Sequence, residues 1–222
     1  MQAIGELLPY SVGVALSPIP IIAVILMLGT PKARSNGSAF AIGWIVGLTA
    51  AATIVLVVTG GSSTPDSSAA TSVNWVQLAI GVLFLAMAAK QWRSRPRDGE
   101  EPTMPTWMAK VDEVSPVKAL GLGVLLSGVN PKNLALAAAA GAAIAQAGLD
   151  VEGDAVGIAV FVVLGSVTVV GSVLFYLVAP RAAQGPLSSI KTFMSGHNAV
   201  IMMVILLVLG AKLIGSALGG LA

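Results

Sequence analysis

Polar residues are sparse along this chain and gather into short clusters, leaving long apolar runs between them. Six runs stand out, at roughly 7–29, 39–59, 75–92, 119–147, 155–179 and 199–219, the third short and the fourth long. A helix needs about 20 apolar residues to cross a hydrocarbon core about 30 Å thick, so each run predicts a transmembrane helix. None alternates polar and apolar positions as a barrel strand would. The pattern predicts an all-α integral membrane protein with six transmembrane helices.

Two of the runs are interrupted at their centres. SPIP occupies 17–20 in the first, and NPKN occupies 130–133 in the fourth. Proline suits the first position of a helix, where its missing N–H costs nothing, and serine or asparagine suits the cap before it. Ser17-Pro18 and Asn130-Pro131 therefore predict helices that stop and restart inside the membrane. The pentapeptide GVALS at 13–17 returns as GVLLS at 123–127, each leading into a break. AAK at 88–90 and GAK at 210–212 fall in the third and sixth runs. This pairing predicts two three-helix repeats, residues 1–92 and 118–222, joined by a cytoplasmic linker at 93–117. Three helices is an odd number, so the second repeat is inverted relative to the first, a common transporter plan with its site near the midplane. The linker reads as a tethered surface loop with Trp107 and Met108 as its candidates for interfacial contact, and 60–74 reads as a solvated turn.

Composition agrees. Of 222 residues, 56% are hydrophobic and 10% charged, against about a quarter charged in soluble domains. The absence of cysteine excludes thiolate chemistry and Cys-ligated metals, and a single histidine, His197, excludes a multi-histidine metal site. No cofactor or metal is expected. Glu6 stands where a signal peptide would be basic, so no cleavable leader is expected.

Charge placement adds orientation. Lys32 and Arg34, then Lys90, Arg93, Arg95, Arg97, Lys110 and Lys118, then Arg181 and Lys191 occupy alternate loops. The remaining loops hold Asp66, Asp150, Glu152 and Asp154 instead. The positive-inside rule makes the basic side cytoplasmic, with both termini outside.

The last two basic residues, Lys132 and Lys212, fall inside predicted spans, where no carboxylate accompanies them. Inverted repeats bring the two half-helix N-termini face to face, and such ends favour anions. Lys132, in the first turn of one of them, adds a full positive charge that a substrate anion would offset. Its position is about 20 Å into its span, too deep for its stem to reach water. The predicted substrate site comprises Ser17, Pro18, Pro20, Asn130, Pro131, Lys132 and Asn133. Lys212, near the chain end, reads either as an interfacial anchor or as a second anion contact. Lys90 reads as an anchor at a helix end.

Other features read as structural. Gly43/Gly47, Ala137/Gly141/Ala145 and Ala211/Gly215/Gly219 have helix-packing spacing, within the chain or in a homodimer. Ser166, Thr168 and Ser172 are expected to bond mainly to their own backbone. Trp44, Trp75 and Trp92 read as interfacial anchors, and His197 as an exposed loop residue.

NPK at 130–132 resembles the Asn-Pro-Lys motif of amino-acid exporters in the lysine-exporter superfamily, and Pro18-Ile19-Pro20 stands where those have Pro-Gly-Pro. The stretch SPIPIIAVILMLGTPKARSNGSAFAIGW, 17–44, more closely resembles the GAP branch of peptidolipid- or sulfolipid-addressing (Sap-like) proteins. The resemblance spans the six-helix layout. It implies a multi-pass protein of the bacterial inner membrane, linked to delivery of lipids or lipopeptides to the cell surface. It also implies core-motif status for Pro18, Pro20, Asn130, Pro131 and Lys132. Ile19 replaces the exporters' glycine and limits close backbone approach, which argues against a free amino acid as cargo.

Three functions remain open on these residues. The leading one is a secondary transporter exporting or flipping an anionic amphiphile, with membrane lipids as partners and protonation of Lys132 as a route to proton coupling. The others are export of a small amino acid or carboxylate, and a non-transporting accessory subunit of a lipid-export machine. Enzymatic activity is not expected, because the spans hold no paired carboxylates, Ser/His/Asp set or metal cluster. No nucleic-acid partner is expected.

Overall fold

The computed structural model describes residues 2–60, 67–95 and 106–221. Among these residues there is no strand, and eight α-helices follow one another: α1 (Gln2–Ala15), α2 (Pro18–Leu28), α3 (Ala33–Gly60), α4 (Ser67–Arg93), α5 (Pro116–Val124), α6 (Pro131–Gln146), α7 (Val151–Val178) and α8 (Pro180–Leu221). A 3₁₀ segment, Thr106–Glu113, precedes α5, and a π-helical turn, Leu125–Val129, joins α5 to α6. The order is thus a broken pair followed by two long helices, twice over.

The local sequence explains the punctuation. Ser17 is extended (φ −81°, ψ 105°) and Pro18 opens α2, with a bend of 53° between α1 and α2. Ser115 accepts the Lys118 N–H ahead of Pro116 at the start of α5. Asp150 caps α7 by accepting the Gly153 N–H at 2.9 Å, and Glu152 and Asp154 in the first turn suit its positive pole. Gly148 ends α6 with φ 60°, a left-handed turn that glycine takes without strain.

Among the described residues, three helices are long and apolar enough to cross a membrane: Ala33–Thr59, Val151–Val178 and Pro180–Gly219. The bent pair Gly5–Ala15 plus Pro18–Leu28 passes the same test when its two helices are taken together, as a broken span or a re-entrant loop, which gives three to four candidate spans. Of the two other expected spans, 75–92 lies within α4, and 119–147 is divided among α5, the π turn and α6.

Small residues set the closest packing. A methyl group at Gly43 would stand 2.1 Å from the Leu120 carbonyl oxygen, and one at Gly123 2.3 Å from that of Phe40. The α3 and α5 backbones therefore touch, as the Gly43/Gly47 spacing predicts. Gly141 brings α6 to the same closeness with Ala52 of α3. By contrast, a methyl at Gly215 or Gly219 would meet nothing within 4 Å.

Several expectations need correction. Residues 180–198 are the first turns of α8 and not a loop: one helix runs from Pro180 to Leu221 with Pro186 inside it, at the cost of the one hydrogen bond its missing N–H would make. His197 accordingly sits on a helix, exposed, stacked on Phe193 and within 2.9 Å of its carbonyl. Ser67 onward, expected as part of a turn, is helical in α4; residues 61–66 lie outside the described residues.

Trp44 is not an interfacial anchor. It is fully buried and stacked with Phe40, whereas Trp75 and Trp92 are exposed. The second half of the linker is not a free surface loop either. Met108, Val111 and Val114 are buried, and Asn36 Nδ2 donates to the Val114 carbonyl at 2.9 Å. Residues 96–105 and the Trp107 side chain lie outside the described residues.

One end of the bundle gathers the last turn of α2, the 3₁₀ segment and the first turns of α8 around a shared cavity. The basic segments at 30–38, 106–118 and 180–191 thus meet at one end. The acidic start of α7 lies at the other, against the later turns of α3.

Candidate functional site

A broken helix leaves carbonyls without partners, and a buried one must find a donor. Pro18 and Pro20 have no N–H, so the carbonyls of Val14 and Leu16 lose their usual helical donors. The Ser17 N–H turns to the Val14 carbonyl (3.2 Å), and the Ser17 hydroxyl also donates to it (2.6 Å). That turn releases the Gly13 carbonyl. The Lys132 ammonium takes it, with Nζ to O at 2.7 Å across 119 positions of sequence. The Ala15 carbonyl accepts from the Thr168 hydroxyl of α7 at 2.6 Å.

The second break is repaired differently. The Asn130 N–H reaches back five residues to the Leu125 carbonyl (2.9 Å), forming the π turn and releasing the Leu126 carbonyl. Asn133 Nδ2 donates to that carbonyl at 2.8 Å. The Ser127 hydroxyl bonds to the Gly123 carbonyl (2.8 Å), and Asn130 Oδ1 caps the Lys132 N–H (3.1 Å).

The two breaks meet. Lys132 Nζ donates to Ser17 Oγ at 2.5 Å, and Ser17 Oγ lies 3.0 Å from Asn133 Oδ1. The single proton of Ser17 is therefore shared between the Val14 carbonyl and Asn133. Ser17, Lys132 and Asn133 are 2%, 3% and 1% exposed, so the cluster is sealed from solvent in this form. Pro18 and Pro20 lie buried beside it, Asn130 is half-buried, and Pro131 is exposed.

This geometry revises the electrostatics expected from the sequence. The two half-helix N-termini do adjoin, yet they offer few donors. In α2, two of the first three nitrogens belong to prolines and the Ile21 N–H bonds to the Ser17 carbonyl. In α6, Pro131 has no N–H, the Lys132 N–H is capped, and the Leu134 N–H bonds to the Asn130 carbonyl. The main positive charge is the ammonium itself. It faces the negative pole of α1, whose last turn supplies the Gly13 carbonyl. Ser17 occupies the cap position of α2, but its side chain makes no capping bond to that helix.

Lys212 stands apart from this cluster, half-buried, donating to the Glu6 carbonyl (3.2 Å) with Nζ 4.2 Å from the Tyr10 ring centre. It fastens α8 to the first turns of α1. Among the three serine and threonine hydroxyls of α7, Ser172 bonds to its own backbone at Thr168, as expected, while Thr168 bonds across to the first break. Ser166 Oγ and Trp44 Nε1 are buried with no hydrogen-bond partner among the described residues. The role of Thr168 was not legible: the missing N–H groups of Pro18 and Pro20 point to the carbonyls of Val14 and Leu16, whereas Thr168 meets that of Ala15.

The family model described as Sap, sulfolipid-1-addressing protein, matches residues 7–219. No curated protein and no solved structure matches the chain. The chain belongs to the sulfolipid-1-addressing protein family.

Proposed function

Taking this family membership as premise, we propose that the protein is a secondary membrane transporter that exports or flips an anionic amphiphile of the cell envelope. The family's name supports a lipid cargo, and the spans place the protein in a membrane. The observation that carries the reading is the environment of Lys132. Its ammonium is 3% exposed, and among the described residues its partners are two neutral oxygens, on Gly13 and Ser17. A buried charge held by neutral acceptors alone remains a strong attractor for a counter-charge.

The structure is then the closed form of the site, with Ser17, Lys132 and Asn133 satisfying one another. An incoming phosphate, sulfate or carboxylate displaces the Gly13 carbonyl and Ser17 from the ammonium. The Ser17 hydroxyl, released from the ammonium, is free to donate to the same headgroup. The apolar tails stay in lipid, so the interior need admit only the headgroup. Removing the proton from Lys132 would open the same contacts, which is the point where a proton gradient would act. Sidedness follows the positive-inside rule, with the basic end cytoplasmic.

The test uses purified protein in liposomes containing a trace of fluorescent phosphatidylglycerol or of its phosphatidylcholine counterpart, with dithionite reporting exposure in the outer leaflet. Wild type should speed movement of the anionic lipid, and Lys132→Met should abolish it while the protein stays folded and inserted. Unchanged movement in Lys132→Met removes the site. No movement by wild type, of lipid or of soluble carboxylates, favours an accessory subunit.

A further inference from the structure

Helix α7 links the midplane cluster to both membrane boundaries. Thr168 marks the cluster by its bond to the Ala15 carbonyl. Further along, Tyr176 lies about 12 Å away at 1.5 Å per residue, and there it lines a cavity of 480 Å³. Helix α2 reaches the same cavity through Leu28, about 15 Å from Pro18. Half a hydrocarbon core is also about 15 Å. The cavity therefore lies where acyl chains give way to headgroups, at the basic end.

Its lining is mixed. The apolar members come mainly from α2 and the linker, with Leu187 of α8. The polar ones are Gln184, Ser188 and Lys191 of α8, Tyr176 of α7 and Asp112 of the linker. Lys191 forms no ion pair among the described residues, with Asp112 or any other acid. The ammonium remains available to a ligand, and the neutral side chains beside it both donate and accept hydrogen bonds. The volume falls within the range that holds a small ligand or a headgroup.

The opposite end of α7 differs. There a cavity of 620 Å³ is lined by Leu56 and Val57 of α3 and Val151 and Ile158 of α7. Its polar lining is Thr53 and Asp154, and Asp154 Oδ1 is buried without a hydrogen-bond partner. This lining holds an acid and no base, whereas the cavity at the basic end sets the Lys191 ammonium beside Asp112.

We propose that the cavity between α2, the linker's 3₁₀ segment and α8 is a loading site for the headgroup of an anionic amphiphile, one leaflet away from Lys132. This inference rests on the transporter reading and adds a direction to it: cargo binds at the basic end, passes the midplane cluster and leaves past Asp154. The linker segment forms one wall of the cavity. Three apolar side chains, Met108, Val111 and Val114, and one buried hydrogen bond from Asn36 hold it.

Because the chain has no cysteine, Ser188→Cys can carry a single environment-sensitive fluorophore in a phosphatidylcholine nanodisc. Dodecyl phosphate should give a saturable signal, and dodecyl maltoside a much weaker one. Lys191→Gln should raise the dodecyl phosphate midpoint by about tenfold or more, the loss expected for a charge-assisted hydrogen bond. Leu187→Trp, which fills the cavity, should remove the signal while leaving the fold intact. Lys132→Met should keep the signal yet lose flipping, so loading and midplane transfer fail separately. A signal that never saturates overturns the site. A midpoint unmoved by Lys191→Gln, or equal binding of the neutral maltoside, overturns its anionic selectivity.

Discussion

Both helix breaks begin with a capping residue and a proline, yet one is repaired from outside and the other from within. At Ser17-Pro18 the chain bends by 53°, and the freed carbonyls of Gly13 and Ala15 are met by Lys132 of α6 and Thr168 of α7. At Asn130-Pro131 the helix widens into a π turn, and Asn133 and Ser127 of the same segment satisfy the carbonyls of Leu126 and Gly123. The first break is an acceptor that needs partners from the second half of the chain. The second is self-contained and serves as the donor. The bonds at the first break are the long-range ones, spanning 119 and 153 positions of sequence.

The sharpest way to break the contrast is Lys132→Met. Transport should disappear, while stability falls by only about 1–2 kcal/mol, because relief from burying a charge offsets part of the cost of stranding the Gly13 carbonyl. Thermal unfolding in detergent alongside the flipping assay separates the two effects. Unfolding too severe to assay would mean that the ammonium is chiefly structural.

Asn133→Leu removes the residue that serves both breaks at once. It leaves the Leu126 carbonyl unpaired and deprives Ser17 of a partner, for a loss of about 2–3 kcal/mol. Gly47→Ala tests the internal repair. The added methyl would stand 2.1 Å from Ser127 Oγ, pushing α3 off the π turn at a cost of about 1–3 kcal/mol. Amide exchange should then rise at 125–130 before it rises at 13–17. The reverse order would show that the second break is not self-contained. Thr168→Val is the mildest change. It strands the Ala15 carbonyl for about 1 kcal/mol and should loosen the first break alone, which exchange at 15–19 would report.

Legibility in the sequence tracked the range of the interaction. Ser17-Pro18 and Asn130-Pro131 announced their breaks because caps and missing N–H groups act within a single turn. Lys132 was identifiable as a buried charge without a carboxylate, and that chemistry needs only composition and depth. The glycine spacing at 43 and 47 foretold a close helix contact, although α5 as the partner was not readable. Trp44 was misplaced because an interfacial and a buried tryptophan have the same local sequence. Thr168 was expected to bond its own backbone, because a hydroxyl inside an apolar helix can do that as easily as it bonds a neighbour's.

What the sequence determined by itself, then, was where the apolar helices lie, where two of them break, and that a cation lies among apolar residues. Those outcomes follow from backbone hydrogen bonding and hydrophobic run length, which involve neighbours a few positions apart. Only the tertiary structure decided that the ammonium faces the Gly13 carbonyl, that Asn133 joins the two breaks, that the linker docks beneath α2, and that 180–198 continues as α8. Each of those pairs groups far apart in sequence, or turns on whether packing favours one helix over two. Helices settle such questions by how their surfaces fit, and no local pattern records the fit.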